Sequence, residues 1–458
     1  MENKFFEGAA EKIKGFIADK KEVYTFRGGI HPDAMKEETK DKPIIDIDAP
    51  QLMIFPMVQH LGAPATPIVQ VGDEVKVGQK IAEASGYVSA NIHSSVSGTV
   101  KEIKPSLHPN GTEVECIFIE NDGRYEVVEG LKGYDYRELS PKEIVDIVRE
   151  AGIVGMGGAC FPTHVKLNVS DDKKIDYVIV NGAECEPYLT SDHRQMLENP
   201  KDVITGLKIL MKIFGLTTGY IGIEENKPDA IEVLQNAASL DGEADIRIVT
   251  LKTKYPQGSE KQLIDAITGR KIPPGKLPAD VGAIVDNVDT VASICRAVTK
   301  GRPLISRIVT VAGDCIGNPV NFRVRIGTPF NYIVEKAGGF KKEPRKVIMG
   351  GPMMGIAQIS LDTPVVKGTS GLLAFGRKFA KAQEETTCLR CGKCVEICPM
   401  RLVPLEINNA YKRNDYDALM KLNVMDCIEC GSCSYICQSS QRVVQNIRIA
   451  KAKIREKK

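Results

Sequence analysis

The sequence predicts a multidomain α/β protein, with a β-rich unit before an alternating α/β body and a helical unit after it. The chain has 458 residues, which is more than one hydrophobic core usually supports. Short β-prone runs separated by turns fill the part before residue 125, and helical segments then alternate with apolar strands. Two cysteine runs near the C-terminus indicate a separate metal-binding unit.

Composition and charge exclude several classes of protein. Hydrophobic residues make up 43% of the chain and charged residues 26%, as in globular proteins. The net charge of +2 offers no field that would attract nucleic acid. No run of about eighteen apolar residues occurs, so no segment is expected to span a bilayer. The first residues lack the features of a signal peptide, and the other cysteines are scattered, so we expect a reducing, cytosolic environment.

Residues 1–42 are predicted to form an N-terminal helix and a lead-in to the first domain. Apolar side chains between Phe5 and Ile17 fall on one helical face, and lysines surround it. Such a helix can lie on a membrane surface, against a partner subunit or against its own protein. The sequence leaves these three alternatives open.

Residues 43–125 are predicted to form a small β barrel or sandwich. Glycines punctuate the strands at close intervals, at Gly72, Gly78, Gly86 and Gly98. The segment resembles the barrel-sandwich fold of lipoyl and biotinyl carriers. Those carriers present a modified lysine at a hairpin tip, whereas the tip here reads Ser-Ala-Asn at positions 89–91. We therefore expect a scaffold without a prosthetic arm.

Residues 126–301 are predicted to form the α/β body. Ser140 and Glu143 have the spacing of a capping box and predict the start of a helix. The apolar run at 175–182 predicts a buried parallel strand. Helices are predicted near 202–214 and 228–238, and strands near 219–223 and 246–251.

A glycine-rich loop, GIVGMGGACFPTHVK (residues 152–166), follows the first helix of the body. Glycine most often marks a turn or close packing, but Gly155, Gly157 and Gly158 also allow backbone amides to approach a phosphate or a flat ring. Lys166 adds a positive charge, and Asn181 ends the buried strand at the sheet edge where α/β proteins bind ligands. Together these residues favour a bound nucleotide.

Three further segments complete the chain. Residues 302–375 contain two strands around a turn and a helix that ends at Gly338, which suits a small β-grasp domain. Residues 376–445 hold the cysteine runs, with helical segments between them, and residues 446–458 form a basic tail.

The two cysteine runs share the spacing C-x-x-C-x-x-C-x-x-x-C, which is the ligand pattern of two [4Fe-4S] clusters. The last cysteine of each run usually ligates the neighbouring cluster. Structural zinc is the alternative, but it commonly takes paired ligands, and all six histidines lie in the first half of the chain. The expected cluster 1 set is Cys388, Cys391, Cys394 and Cys437, and the expected cluster 2 set is Cys427, Cys430, Cys433 and Cys398.

Four motifs, in one order, carry a resemblance to a known family. GMGGACFPTHVK, VNGAECEP, YPQGSEKQL and DNVDT resemble the flavin-bearing, NADH-binding subunit of respiratory complex I. With RGGIHP and the β-rich unit in front and the β-grasp and cysteine-rich units behind, residues 25–444 resemble the RnfC family of the Rnf electron transport complex. The resemblance implies a Rossmann-like flavin domain, a barrel-sandwich domain, an SLBB-like β-grasp domain and a helical two-cluster ferredoxin-like domain.

The resemblance also implies roles for individual residues. The positions that match FMN contacts are Gly155, Gly157, Gly158, Lys166, Asn181, Glu184, Asp286 and Asn287. The positions that match NADH contacts are Phe161, Glu186 and Glu260. Two positions depart from the complex I pattern. Cys160 replaces a glycine and is expected to narrow the flavin pocket, and the carboxylate of Asp286 replaces an amide and would disfavour an anionic reduced flavin.

By the same resemblance, the chain is expected to be a peripheral subunit of a ferredoxin:NAD oxidoreductase at the cytoplasmic face of the membrane. It would exchange hydride between NAD(H) and FMN and pass single electrons through two [4Fe-4S] clusters. Its expected partners are NADH, the membrane subunits and a ferredoxin-like iron-sulfur subunit. Two alternatives remain: a soluble flavin and iron-sulfur reductase of the cobalamin-reductase type, and an electron-relay or scaffold subunit without its own nucleotide site.

Overall fold

The computed structural model describes residues 22–170, 172–381 and 383–456. The predicted amphipathic helix near the N-terminus lies outside these residues. In the described part of the chain, no helix has the length and apolar character needed to cross a membrane. The described strands form four sheets.

The first part of the chain forms two small antiparallel sheets, which confirms the predicted β sandwich. Strands β2, β8, β7 and β4 form one sheet in that order, and β3, β5 and β6 form the other. Met53, Phe55, Ile81, Ile92 and Ile117 are fully buried in its core. The strands are β1 (Ile44–Asp46), β2 (Leu52–Pro56), β3 (Thr66–Pro67), β4 (Glu74–Val75), β5 (Lys80–Glu83), β6 (Ile92–His93), β7 (Gly98–Leu107) and β8 (Glu113–Asn121).

The hairpin tip of this β sandwich is buried. Asn91 has only 3% of its surface exposed, and its side-chain amide donates to the carbonyls of Arg149 and Glu150, each at 3.4 Å. The tip at which carrier domains present a modified lysine is therefore docked on the α/β body.

The α/β body has a parallel sheet with the strand order β11-β10-β9-β12, flanked by helices. Near the start of the described chain, Tyr24 forms a parallel β-bridge with Leu251 at the β11 edge of this sheet. The strands are β9 (Tyr177–Gly182), β10 (Thr218–Glu224), β11 (Asp245–Leu251) and β12 (Ala283–Asn287). The helices are α1 (Pro141–Glu150), α2 (Thr163–Leu167), α3 (Ser191–Glu198), α4 (Pro200–Phe214), α5 (Pro228–Asp241), α6 (Glu260–Thr268) and α7 (Val288–Lys300), with a 3-10 turn at Pro278–Val281.

Helix α1 confirms the predicted capping box. The backbone N–H of Glu143 donates to the Ser140 hydroxyl at 3.3 Å, and the backbone N–H of Ser140 donates to the Glu143 carboxylate at 2.7 Å. These bonds satisfy two amides that a helix terminus would otherwise leave unpaired. The cap fixes where α1 begins, and α1 leads directly into the glycine-rich loop.

The β-grasp unit is built on a sheet of order β1-β14-β13-β17-β15-β16. Its elements are β13 (Ser306–Ala312), β14 (Val320–Arg325), α8 (Phe330–Lys336), β15 (Lys346–Met349), β16 (Ile356–Ala357) and β17 (Gly371–Phe375). Strand β1 pairs in parallel with β14, and Arg323 forms an ion pair with Asp46 at 2.9 Å. Strand β1 lies in the segment predicted as the β sandwich, yet its three residues complete the sheet of the β-grasp unit.

The cysteine-rich unit consists of short helices around a small core. Ile407, Leu419, Val424 and Ile447 are completely or almost completely buried in it. The helices are α9 (Lys393–Glu396), α10 (Pro404–Lys412), α11 (Tyr416–Lys421), α12 (Ser432–Tyr435) and α13 (Val443–Glu456), with a 3-10 turn at Val424–Asp426. Helix α13 belongs to this unit and continues to Glu456, into the segment that was expected to form a basic tail.

A buried ion pair joins the β-grasp unit to the α/β body. Arg307 of β13 contacts Asp289 of α7, and their side chains are 1% and 5% exposed. Asp289 also accepts a hydrogen bond from Arg296 at 3.2 Å. A buried charge that loses its partner is strongly destabilising, so this pair fixes how the two units dock.

We expect Asp289→Asn to lower the free energy of unfolding by about 3 kcal/mol, because it leaves Arg307 buried without its carboxylate partner. Denaturant unfolding followed by circular dichroism measures this change. The matched control is Asp245→Asn, which breaks an ion pair with the exposed Arg247 and should leave the transition close to that of the wild type. Equal effects of the two substitutions would contradict the structural role of the buried pair.

Candidate functional site

Two asparagines lie side by side at the carboxyl edge of the parallel sheet. Asn287 on β12 is the register partner of Asn181 on β9. The Asn181 amide donates to the carbonyl of Gly258 at 2.7 Å. The side chain of Asn287 caps α7 by accepting from the backbone N–H of Asp289 at 2.9 Å, and it donates to Asp192 at 2.6 Å. The structure thus brings these two predicted residues together at the edge where α/β sheets bind ligands.

The glycine-rich loop lies against this edge. The backbone N–H of Gly155 donates to the carbonyl of Phe161 at 2.9 Å, which closes the loop on itself. A Cβ at Gly157 would lie 3.0 Å from the Cβ of Asn287, whereas a Cβ at Gly158 would meet nothing within 4 Å. Gly157 therefore allows close packing on the asparagine edge, while exposed Gly158 leaves its backbone accessible to a ligand.

Lys166 lies between two carboxylates at the end of this loop. Its ammonium donates to Glu260 at 3.0 Å and to the carbonyl of Val285 at 2.7 Å, and it lies 3.5 Å from Asp286. Burial favours a lower pKa for Lys166, but the charges of Asp286 and Glu260 outweigh it and raise the pKa above its ordinary value. The lysine is firmly cationic.

Asp286 is buried beside this cation. Burial raises the pKa of Asp286, and the charge of Lys166 opposes that shift. Its Oδ2 atom is buried and has no hydrogen-bond partner among the residues that the structure describes. A buried polar atom without a partner is rare, and it is the kind of atom that a bound ligand satisfies. The predicted negative charge at this position is thus offset by Lys166.

The two acidic residues of the AECEP turn have different surroundings. Glu184 caps helix α3, because its carboxylate accepts from the backbone N–H groups of Asp192 and His193 at 2.7 and 3.3 Å. Glu186 accepts from the backbone N–H groups of Met353 and Met354 in the β-grasp unit, at 3.0 and 2.9 Å. Burial raises the pKa of Glu186 to about 7. The cofactor and NADH roles expected for these residues stay predictions.

Cys160 and Phe161 lie in the half-buried part of the loop. Cys160 adopts a left-handed backbone conformation, with φ of 53°. Its thiol packs against Gly368 of the β-grasp unit, where an added Cβ would lie only 2.2 Å from the sulfur. Glycine at 368 thus makes room for the sulfur that was expected to narrow the flavin pocket. The NADH contact expected for Phe161 stays a prediction.

Asp192 is an acid of the site that the sequence did not identify. It lies at the start of α3, where Asn287 donates to its carboxylate. Burial raises the pKa of Asp192 to about 7, and the nearby charges of Glu184 and Asp289 add to the shift. An acidic residue is common in the first turn of a helix, where it interacts favourably with the helix dipole. The sequence position of Asp192 therefore gave no sign that its carboxylate is buried among other acids.

The pKa shifts of two buried cysteines show which other thiols lie near them. Burial raises the pKa of Cys394, and the nearby thiols that raise it further are Cys437, Cys388 and Cys391. Burial likewise raises the pKa of Cys433, and the corresponding neighbours are Cys430, Cys427 and Cys398. In each case the distal cysteine of one run lies near the first three of the other, which is the crossing pattern of two-cluster ferredoxins.

The cluster 2 set lines an apolar cavity. All four cysteines of the set border this cavity, together with Pro399, Ile428 and Val444. Within the described residues, no three His, Cys, Asp or Glu side chains are grouped to hold a single metal ion. A cubane takes one thiolate at each of its irons and needs a space between the four sulfurs.

The cluster 2 side of the cysteine-rich unit faces the α/β body. The hydroxyl of Tyr255, which is 1% exposed, donates to the carbonyl of Cys430 at 2.7 Å. Gln262 donates to the carbonyl of Pro399 at 3.3 Å, and the backbone N–H of Gly29 donates to Ile397 at 2.8 Å. Tyr255 and Gln262 belong to the YPQGSEKQL motif, so the motif signalled their importance, although their contact with the cysteine-rich unit could not be read from it.

Family models match consecutive parts of the chain. A model described as the RnfC barrel sandwich hybrid domain matches residues 24–124, and one described as the Nuo51 FMN-binding domain matches residues 148–296. An SLBB domain model matches residues 308–357, and a 4Fe-4S dicluster domain model matches residues 380–438. These matches confirm the predicted fold class.

A solved structure shares the fold of a large part of the chain. The chain resembles a chain of the NAD+-reducing [NiFe]-hydrogenase in its air-oxidized state, with a TM-score of 0.50 and 17% identity. The likeness covers 72% of this chain and 68% of that one.

Relatives match along nearly the whole chain. The C subunit of the proton-translocating ferredoxin:NAD(+) oxidoreductase complex of Clostridium ljungdahlii is 49% identical, and the match covers 94% of both chains. The C subunit of the Na(+)-translocating complex of Acetobacterium woodii is 48% identical over 94% of this chain and 97% of its own. The C subunit of the ion-translocating oxidoreductase complex of Rhodobacter capsulatus is 41% identical over 95% and 84%. This chain therefore belongs to the RnfC family.

Proposed function

We propose that this chain is the subunit of a ferredoxin:NAD oxidoreductase complex that exchanges hydride between NAD(H) and FMN and conducts single electrons through two [4Fe-4S] clusters. The observation that carries the proposal is the docking of the cluster 2 cavity on the α/β body through Tyr255 and Gln262. Both residues come from a motif of the flavin-bearing domain. These contacts support the proposal, because they would hold the proposed flavin site and the proposed cluster 2 next to each other.

The residues present at the sheet edge fit FMN. Lys166 supplies a firmly positive charge for the phosphate, Gly158 offers exposed backbone, and the partnerless Oδ2 of Asp286 offers a buried polar atom. FMN, when bound, exchanges hydride with nicotinamide and single electrons with iron-sulfur clusters. The residues proposed to hold it are Gly155, Gly157, Gly158, Lys166, Asn181, Glu184, Asp286 and Asn287.

Phe161, Glu186 and Glu260 are the proposed contacts of NADH. Glu260 is partly exposed beside Lys166, with 38% of its side-chain surface accessible, and can accept hydrogen bonds from a dinucleotide. Glu186 is held by two backbone N–H groups, which fixes the orientation of its carboxylate. The part of these residues is to orient the substrate and to hold its polar groups while water is excluded.

The thiols of the two cysteine sets are proposed as the ligands of the two [4Fe-4S] clusters. Each set supplies four cysteines, which is the number a cubane requires. Cluster 2 would lie next to the α/β body, and cluster 1 would lie beyond it. Cys391 of the cluster 1 set is exposed, so we propose that electrons enter or leave the protein at cluster 1.

The assembly proposed for the chain follows from its relatives. Their names describe ion-translocating complexes, and ion movement requires membrane-spanning partners. We propose that the chain binds the membrane subunits and a ferredoxin-like iron-sulfur subunit at the cytoplasmic face of the membrane. In the relatives' reaction, electrons pass between ferredoxin and NAD.

Anaerobic addition of NADH to the reconstituted protein should bleach the flavin absorbance and then the cluster absorbance. Lys166→Met should lower FMN affinity by at least about tenfold while leaving the iron content unchanged, because it removes the phosphate-binding charge and strands Asp286. Lys142→Met, which removes an exposed lysine on α1, is the matched control. Wild-type protein that binds no FMN, or whose flavin does not respond to NADH, would refute the proposed function.

The crossed ligand sets predict which cysteine substitutions behave alike. Cys398→Ala and Cys433→Ala should remove the same cluster, and Cys437→Ala and Cys394→Ala should remove the other. Each variant should retain about four iron atoms per chain instead of about eight. Iron analysis and low-temperature EPR spectra of the dithionite-reduced variants measure this. If Cys398→Ala instead gave the spectrum of Cys394→Ala, each run would ligate its own cluster and the crossing would be wrong.

A further inference from the structure

Lys367 is a buried lysine in the segment between β16 and β17 of the β-grasp unit. Its exposed fraction is 0%. Its ammonium donates to the carbonyl of Asn91 at 2.5 Å and to the carbonyl of Gly152 at 2.6 Å. No ion pair joins it to a carboxylate among the described residues. A buried cation paired only with carbonyls is costly, so its presence requires a reason.

The two carbonyls belong to two other domains. Asn91 is at the buried hairpin tip of the β sandwich, and Gly152 begins the glycine-rich loop. Gly152 adopts a left-handed conformation, with φ of 63°, and a Cβ there would lie 2.2 Å from the Asn91 carbonyl oxygen. Lys367 thus joins three domains at a point where the backbone has no room to shift.

The neighbouring residue contacts the same loop at a second place. Gly368 packs on the thiol of Cys160, eight residues beyond Gly152 in the loop. Lys367 and Gly368 therefore contact the loop at its start and at its middle, from the side of the β-grasp unit. The exposed Gly157 and Gly158 lie between these two contacts in the sequence.

Among the described residues, Lys367 has no carboxylate partner, unlike Arg307, which is also a buried cation of the β-grasp unit. Arg307 contacts the carboxylate of Asp289, whereas the groups facing Lys367 are the Cys160 thiol and two histidines. Burial lowers the pKa of Lys367 to about 7, and the nearby Cys160 opposes that shift. Burial, and next the charge of Lys367, lower the pKa of His60 to about 4 and that of His93 to about 3, so both histidines are neutral near pH 7.

We propose that Lys367 is a positioning residue for the flavin, which fixes the glycine-rich loop from behind and whose buried charge is stabilised when the FMN phosphate occupies that loop. The proposal rests on FMN binding as proposed above. It assigns the β-grasp and β-sandwich domains an indirect part in flavin binding, because Lys367 and Asn91 come from them and act through the loop. It also makes FMN affinity depend on the protonation of a residue outside the flavin domain.

The first test uses the wild-type protein with its clusters reconstituted and its flavin removed. A bound anion raises the pKa of a nearby lysine, so binding takes up a proton. FMN affinity, measured by quenching of its fluorescence, should therefore fall as pH rises from about 7 to about 9. The second ionisation of a phosphate lies near pH 6 and so below this window. An affinity that stays constant or rises across the window would overturn the proposal.

The second test is Lys367→Met, which keeps the length of the side chain but removes its charge and its N–H donors. FMN affinity at about pH 7 should fall about tenfold, and its dependence on pH should flatten. Asp192 and Glu186 also have pKa values of about 7. Comparing the pH dependence of the variant with that of the wild type separates the contribution of Lys367 from theirs. The control is Lys346→Met, an exposed lysine on β15 of the same sheet.

The outcomes separate this proposal from the proposed function. FMN binding by Lys367→Met with wild-type affinity and wild-type pH dependence would overturn the role of Lys367 and leave the proposed function intact. Wild-type protein that fails to bind FMN would overturn both. If Lys367→Met does not fold, as reported by its cluster absorbance and thermal unfolding, Lys367→Gln, which keeps N–H donors without the charge, replaces it in the same comparison. A wild-type affinity that does not fall as pH rises overturns the proposal in either case.

Discussion

The structure depends on buried polar side chains that cross from one domain to the next. Arg307 reaches Asp289, Lys367 reaches the glycine-rich loop, and Tyr255 reaches Cys430, each with little or no exposure at the donor. A buried polar group that loses its partner destabilises the folded protein by about 1–3 kcal/mol, and a buried charge does so by more. These contacts therefore fix the relative positions of the domains more strictly than apolar packing alone would.

Fixed domain positions are what an electron-transfer protein of this kind requires. The glycine-rich loop and the asparagine edge lie on the α/β body, while the cysteines lie on a separate unit whose own core is small. The hydrogen bonds of Tyr255 and Gln262 place the cluster 2 cavity against that body. The β-grasp unit stabilises the same region from another side, through the backbone amides that bind Glu186.

Local sequence patterns predicted what local interactions determine. The Ser140 cap, the parallel strand before Asn181 and the cysteine spacing each depend on residues close together in the chain, and the structure has the first two as predicted. The pairing of β1 with β14 and the burial of Lys367 depend on residues hundreds of positions away. A lysine in a loop gives no sign in the sequence that it will be buried, so no local pattern could have identified it.

We propose that cluster 2 lies between the flavin site and cluster 1. Anaerobic stopped-flow reduction by NADH tests it most directly in two FMN-loaded variants, one lacking each cluster. In Cys394→Ala, which lacks cluster 1, cluster 2 should still be reduced at the wild-type rate. In Cys433→Ala, which lacks cluster 2, cluster 1 should stay oxidised on that timescale. Reduction of cluster 1 at the wild-type rate in Cys433→Ala would contradict the account.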